Sequence, residues 1–289
     1  MARKKVQQQQ QFPRFRVMAR IEHIILLVSF TVLSITGLPQ KYIEAPISET
    51  MISVMGGIET VRLIHRYAAF LLVAGSFFHL FTGAYRSLVK RERMRIMLRP
   101  SDARDLWDTI RHNLGFLPEP PKMPKFNFGE KVEYWAVIWG TAVMVITGFM
   151  LWNPIASTAI LPGQFIPAAL AAHGGEAVLA VLSILIWHMY NVLVKHRNFS
   201  IFTGNLPRHQ MEEEHGLELE RLENGGDPWP GISLPVLKRR RRNFLIISVI
   251  LSGLIMFALV WLFTFEQTAI TTIPRVTREV FVPLATAVP

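Results

Sequence analysis

Three observations predict an all-α membrane protein, a four-helix transmembrane bundle with a fifth, C-terminal transmembrane helix. The 289 residues are 51% apolar, with a mean hydropathy of +0.29. Those apolar residues are gathered into five long runs, while the basic excess, a net charge of +10, falls almost wholly between them. Third, cysteine is absent, which excludes a disulfide framework, a thiolate metal site, an iron–sulfur cluster and covalently attached c-type haem. The apolar content also excludes a disordered chain.

Residues 1–20 form a polar, basic arm with a glutamine tract, Gln7–Gln11, read as disordered. The first apolar run, Ile21–Leu38, ends in Thr36-Gly37-Leu38-Pro39 without a small-residue cleavage site. It therefore reads as a retained span and not as a cleaved signal. The runs Val61–Tyr85, Val132–Trp152 and Ile166–Val194 complete a bundle over 21–194, interrupted by a polar loop at 86–131. A second polar loop, 195–242, precedes the uncharged run Asn243–Phe265, and a short Thr/Pro-containing tail, 266–289, closes the chain. Each run approaches the roughly 20 residues that cross a bilayer as a helix. Each is also apolar on every face, which soluble core helices seldom are.

Lysine and arginine set the orientation. Twenty-six of the 31 lie in the arm and the two long loops, and five, Lys41, Arg62, Arg66, Arg275 and Arg278, lie opposite. The arm and loops are thus expected to be cytoplasmic and the tail external, and the +10 is a topology signal with no nucleic-acid partner behind it. Within the loops, Leu106, Trp107, Ile110 and Leu114 recur at helical spacing, as in a helix lying on the membrane surface. Met211–Glu223 reads as an acidic helix, a solvated or docking surface ended by Gly225-Gly226.

Five of nine histidines fall inside spans: His23, His65, His79, His173 and His188. Ionisable groups in a bilayer are costly and mark interior sites. His65 and His79 are 14 residues apart, and His173 and His188 are 15, so each pair lies near one helix face, separated by about 21–22 Å along the axis. The second and fourth spans run in the same direction, which places His65 with His173 at one level and His79 with His188 at another. Two levels of paired imidazoles suit two bis-histidine b-type haems, each needing an axial ligand from either side. Gly75, Gly83, Gly174 and Gly175 would leave room for the macrocycles. Arg62, Arg66, Arg20 and Arg86, near the span ends, would meet propionates. His23 lies at the same level as His79, leaving either as the partner of His188. His112, His196, His209 and His215 read as surface residues. Ile35-Thr36-Gly37 and Ile146-Thr147-Gly148, each followed by a His-bearing span, form a weak internal repeat.

Several ordered motifs resemble one family. They are Arg20-Ile21-Glu22-His23 with Thr36-Gly37, Arg62-Leu63-Ile64-His65, Asn127-Phe128-Gly129-Glu130-Lys131, Thr147-Gly148 with Leu151-Trp152, and His188-Met189-Tyr190. Over roughly residues 15–215 the chain resembles the cytochrome b (gamma) subunit of membrane-bound formate dehydrogenases and the dihaem cytochrome b of nickel–iron hydrogenases. The resemblance implies a dihaem, quinone-reactive electron carrier in a hetero-oligomeric respiratory complex of a prokaryotic plasma membrane. It implies His65 and His173 on the outer haem and His23 and His188 on the inner one. Asn127, Gly129 and Glu130 would hold a menaquinone or ubiquinone near the cytoplasmic side, and Glu130 could conduct its protons or simply serve the helix start. The external partner would be an iron–sulfur subunit or a multihaem c-type cytochrome. Three departures stand out: His79 replaces an apolar residue, the His173–His188 interval is longer by one, and a fifth span with a tail is added. The rival readings are a transporter using the histidines as a proton relay and a non-redox membrane anchor of a partner enzyme.

Overall fold

The computed structural model describes residues 10–195, 197–226 and 231–265. The tail expected at 266–289, residues 1–9 of the N-terminal arm and His196 lie outside the described residues. Five helices are long and apolar enough to cross a membrane: α1 Val17–Lys41, α3 Ile58–Ala84 with its continuation to Val89, α5 Phe128–Trp152, α7 Phe165–Leu182 with its continuation to Lys195, and α11 Leu234–Thr264. Their apolar side chains point outward along nearly their whole lengths, the reverse of a water-soluble bundle and the arrangement a lipid environment stabilises.

The core consists of two matching helix pairs. α1 packs on α3 through the short connector α2 (Pro46–Val54), and α5 packs on α7 through α6 (Pro154–Thr158). Both connectors start with proline, whose fixed φ suits the first helical turn. Both pairs end in π-helical turns, Tyr85–Val89 after α3, and Ser183–His188 and Tyr190–Lys195 after α7. The three-residue repeat in the sequence therefore marks a duplicated structural unit. α1 runs on past the apolar run and Pro39 to Lys41. Pro39 donates no backbone hydrogen bond and its ring crowds the Ile35 carbonyl, a cost borne only in the last turn of the helix.

A polar cap closes one end. β1 (Gln11–Pro13) pairs antiparallel with β2 (Asn205–Pro207), Phe12 opposite Leu206. With α8 (Ser200–Thr203), α9 (Arg208–Glu214) and α10 (Gly216–Glu223), the strands enclose Phe12, Leu206, Met211 and Leu219. The stretch expected to be a solvated acidic helix is instead two short helices that fill this core, with Met211, His215 and Glu218 buried. His215, expected at the surface, is 0% exposed. α4 (Pro100–Asn113) carries Leu106, Trp107 and Ile110 exposed, and it is tied to α5 by a buried Asp102–Lys131 ion pair at 2.6 Å. α11 lies beside α3, where Phe244 meets Tyr85 edge-on. Its first turns carry the basic run Lys238–Arg242, so the second long loop ends in helix.

Candidate functional site

The four core helices surround a cavity of ≈ 3830 Å³ lined by all five span histidines. Ordinary small-ligand pockets are about 300–1,000 Å³, so this space suits more than one large ligand. At the end far from the cap, His65 of α3 faces His173 of α7 with ring centroids 6.4 Å apart. Each is held by the threonine of a Thr-Gly motif. Thr36 donates its hydroxyl to the Val32 carbonyl at 2.7 Å, so its oxygen accepts from His65 Nδ1 at 2.9 Å. Thr147 does the same from Val143 (2.6 Å) toward His173 Nδ1 (2.9 Å). A protonated Nδ1 leaves the Nε2 lone pair for a metal, the usual support for a ligating imidazole. The following glycines explain the motif's second position. A Cβ on Gly37 or Gly148 would come within 3.1 or 3.2 Å of the ring it flanks.

At the cap side, His23 of α1 faces His188 at the end of α7, centroids 6.3 Å apart and planes 29° from parallel. His188 Nδ1 meets a carboxylate, Glu133 Oε1, at 2.9 Å. The segment between His173 and His188 ends in a π turn, Ser183–His188, and an i→i+5 turn takes one more residue than an α turn. That keeps His188 aimed across the bundle. Metal–imidazole nitrogen bonds are about 2.0–2.1 Å for zinc. Two rings meeting one metal end-on from opposite sides therefore hold their centroids roughly 6 Å apart, the spacing of both pairs. Among the described residues no group of three or more metal-ligating side chains converges. Two imidazoles facing each other across such a gap are a donor set that fits a b-type haem.

His79 is placed differently. Its Nδ1 lies 2.8 Å from Glu22 Oε2 and its Nε2 lies 2.8 Å from the Tyr134 hydroxyl, so both ring nitrogens are engaged. Thr82 donates to the other Glu22 oxygen.

The cations have partners of their own. Arg62 pairs with Glu59, Arg86 with Glu92, Arg20 reaches the Phe202 carbonyl, and Arg66 lies over the Trp152 ring at 4.4 Å. Arg62, Arg66 and Arg86 line the cavity, whereas Arg20 does not. Asn127 and Glu130 form a reciprocal capping box at the start of α5, and Glu130 Oε1 also accepts from Arg14 at 2.8 Å. Gly129 packs near Trp187. Of the glycines expected to make room, Gly75 is pressed against Ile25 and Gly174 against Lys41, while Gly175 has no near neighbour. Thr36, Thr147, Glu133, Glu22 and Tyr134 had no assigned role in the sequence. The signal for Glu133 and Glu22 was available, because a carboxylate within an apolar span is expensive and calls for a partner.

Under the cap, burial first, then the Glu130 charge, pushes Glu214 up to about 7. Burial likewise holds His215 down at about 4.

A family model described as prokaryotic cytochrome b561 matches residues 14–204. The formate dehydrogenase cytochrome b556(fdo) subunit of Escherichia coli K12 is 22% identical over 183 residues, covering 62% of this chain and 78% of that subunit. The nitrate-inducible formate dehydrogenase cytochrome b556(Fdn) subunits of Escherichia coli K12 and Shigella flexneri are each 27% identical over 112 residues, covering 37% of this chain and 51% of those subunits.

Proposed function

Because the chain belongs to the prokaryotic cytochrome b561 family, a multi-pass membrane cytochrome b of electron transfer, we propose that it links a quinone pool to a redox partner across the membrane through two haems. His65 and His173 hold one b haem and His23 and His188 the other. The observation that carries this reading is the pair of facing imidazoles, 6.4 and 6.3 Å apart, at two levels of one cavity. The engagement of both nitrogens of His79 favours His23 as the partner of His188. A b haem so held takes up and gives up one electron at a time at its iron. The protein's own part is orientation and electrostatics. Thr36 and Thr147 fix the far-side rings, Glu133 makes His188 a more basic ligand, and Arg62, Arg66 and Arg86 line the cavity where carboxylates of a bound group would need cations.

The cap side faces the cytoplasm, a reading supported by the concentration of basic residues in the cap and its loops. The quinone, menaquinone or ubiquinone, reacts near that side, where Asn127, Gly129 and Glu130 line the cavity. The partner, an iron–sulfur subunit or a multihaem c-type cytochrome, docks at the opposite face. The subunit names of the relatives support membership of such a hetero-oligomeric complex. Purified protein should show a b-type absorption spectrum with two non-covalent haems per chain. His65→Ala or His173→Ala should lose one, and His188→Ala the other. Protein purified without any haem would overturn the reading.

A further inference from the structure

Three core helices converge on His79 and build a polar trio that the facing histidine pairs do not use. α1 supplies Glu22, α3 supplies His79 and Thr82, and α5 supplies Tyr134, all lining the central cavity. A carboxylate, an imidazole and a phenol within apolar spans are costly to bury, and packing alone would need none of them. The His79 side chain remains 38% exposed toward the cavity, while Glu22 behind it is 13% exposed.

The polarity of the chain follows from its acceptor end. Ionised Glu22 can only accept, and it takes the Thr82 hydroxyl on Oε1 and His79 Nδ1–H on Oε2 at 2.8 Å. The neutral imidazole then offers its Nε2 lone pair, which the Tyr134 O–H fills at 2.8 Å. Tyr134 is left with oxygen lone pairs to accept a hydrogen bond from whatever occupies the cavity beside it. A ligand with a hydroxyl donor on an apolar body satisfies that position. Glu22 directly precedes His23 and Tyr134 directly follows Glu133, so the trio lies at the level of the cap-side pair.

We propose that Tyr134, His79 and Glu22 form a proton relay that binds a hydroxyl of a para-quinol, with Tyr134 as the substrate contact, His79 as the proton acceptor and Glu22 as the fixed counter-charge. This rests on the reading above that the cap side serves a quinone. The quinol O–H bond breaks and its proton passes to the Tyr134 oxygen, as the Tyr134 proton moves to His79 Nε2. The imidazolium so formed is stabilised by Glu22, which stays ionised throughout, the logic of a carboxylate-supported imidazole base. Per quinol, two electrons and two protons leave. The electrons go singly to the b-haem class of acceptor held by the cap-side pair. One proton enters the relay, and the hydroxyl para to it releases the other to solvent. Reduction of a quinone runs through the same groups in reverse.

The test uses the full-length, haem-loaded protein and a short-tailed ubiquinol analogue, following haem reduction by stopped flow, with binding of a redox-inert phenolic analogue of the quinol read by calorimetry. Tyr134→Phe should slow quinol-driven haem reduction about 100-fold or more, weaken analogue binding, and leave dithionite-reducible haem intact. His79→Gln, which acts through Tyr134, should lower the maximal rate with little change in half-saturation and lose the solvent deuterium isotope effect. Should Tyr134→Phe fail to assemble, His79→Gln reads the same step. Unchanged rates in both variants, with haem in place, overturn the relay while leaving the electron-carrier reading intact. Wild-type protein without haem would instead sink the earlier reading.

Discussion

The two ends of the bundle are built from the same repeat and finished differently. At the far end, both facing histidines lean on threonine hydroxyls, neutral groups that fix a ring without adding charge. At the cap end, His188 leans on a carboxylate, His23 Nδ1 is buried with no hydrogen-bond partner, and a second carboxylate holds His79 nearby. Outside the bundle the contrast continues. The far end is closed by short connectors, whereas the cap end has a two-stranded sheet, its own apolar cluster and a buried ion pair. The two helix pairs share one scaffold, and the charged additions collect at the cap end.

The comparison can be broken most severely at the buried ion pair. Asp102→Ala strands the Lys131 ammonium, 2% exposed, and should destabilise the cap and the start of α5 by about 3–5 kcal/mol. Chemical denaturation followed by Trp fluorescence reads this, and an unchanged midpoint would show that the cap does not depend on the pair.

Next come the ring supports. Thr147→Val at the far end and Glu133→Gln at the cap end should each weaken haem retention about 10–100-fold at their own level. Only Glu133→Gln removes a negative charge, so it alone should raise the potential of its haem, on the order of 60 mV for a tenfold change in relative affinity. Redox titration of both variants separates the two cases, and equal shifts would refute the contrast between neutral and charged supports.

The helix cap is smaller. Asn127→Ala removes the side-chain acceptor for the Glu130 amide at 2.9 Å and should cost about 0.5–2 kcal/mol. If quinol oxidation fell while stability held, Asn127 would belong to the quinone site as the family resemblance implied.

The smallest effect concerns pH. Glu214, held up near 7, binds an extra proton in the folded state between the usual carboxylate range and 7, so its contribution falls as pH rises through that window. His215, held down near 4, binds fewer protons when folded, so its contribution falls as pH drops from 6.5 toward 4. The two slopes oppose each other. Glu214→Gln should therefore expose the His215 slope and make α9 open more readily below about pH 6.5. Amide hydrogen exchange across that range is the measurement, and a flat profile would count against it.

Much of this was legible in the sequence because the bilayer imposes simple rules. Lengths of apolar residues gave the spans, and histidines inside them stood out against an environment that tolerates few ionisable groups. Thr36-Gly37 and Thr147-Gly148 were visible as a repeat, but their purpose was not, since a threonine's partner 26 or 29 residues away depends on how two helices lie side by side. The polar loops were misread where charge density suggested solvent. Glu218 and His215 are buried because strands from opposite ends of the bundle sequence meet over them.

The sequence by itself determined an all-helical membrane protein with histidines at two levels, because hydropathy, residue spacing and the cost of charge in lipid are local properties. Which histidine faces which was decided only in the folded bundle. His23 and His79 lie at the same level and obey the same periodicity. The choice between them turns on helix rotation, on a π turn that re-aims His188, and on Glu22 and Tyr134 arriving from two other helices to engage His79.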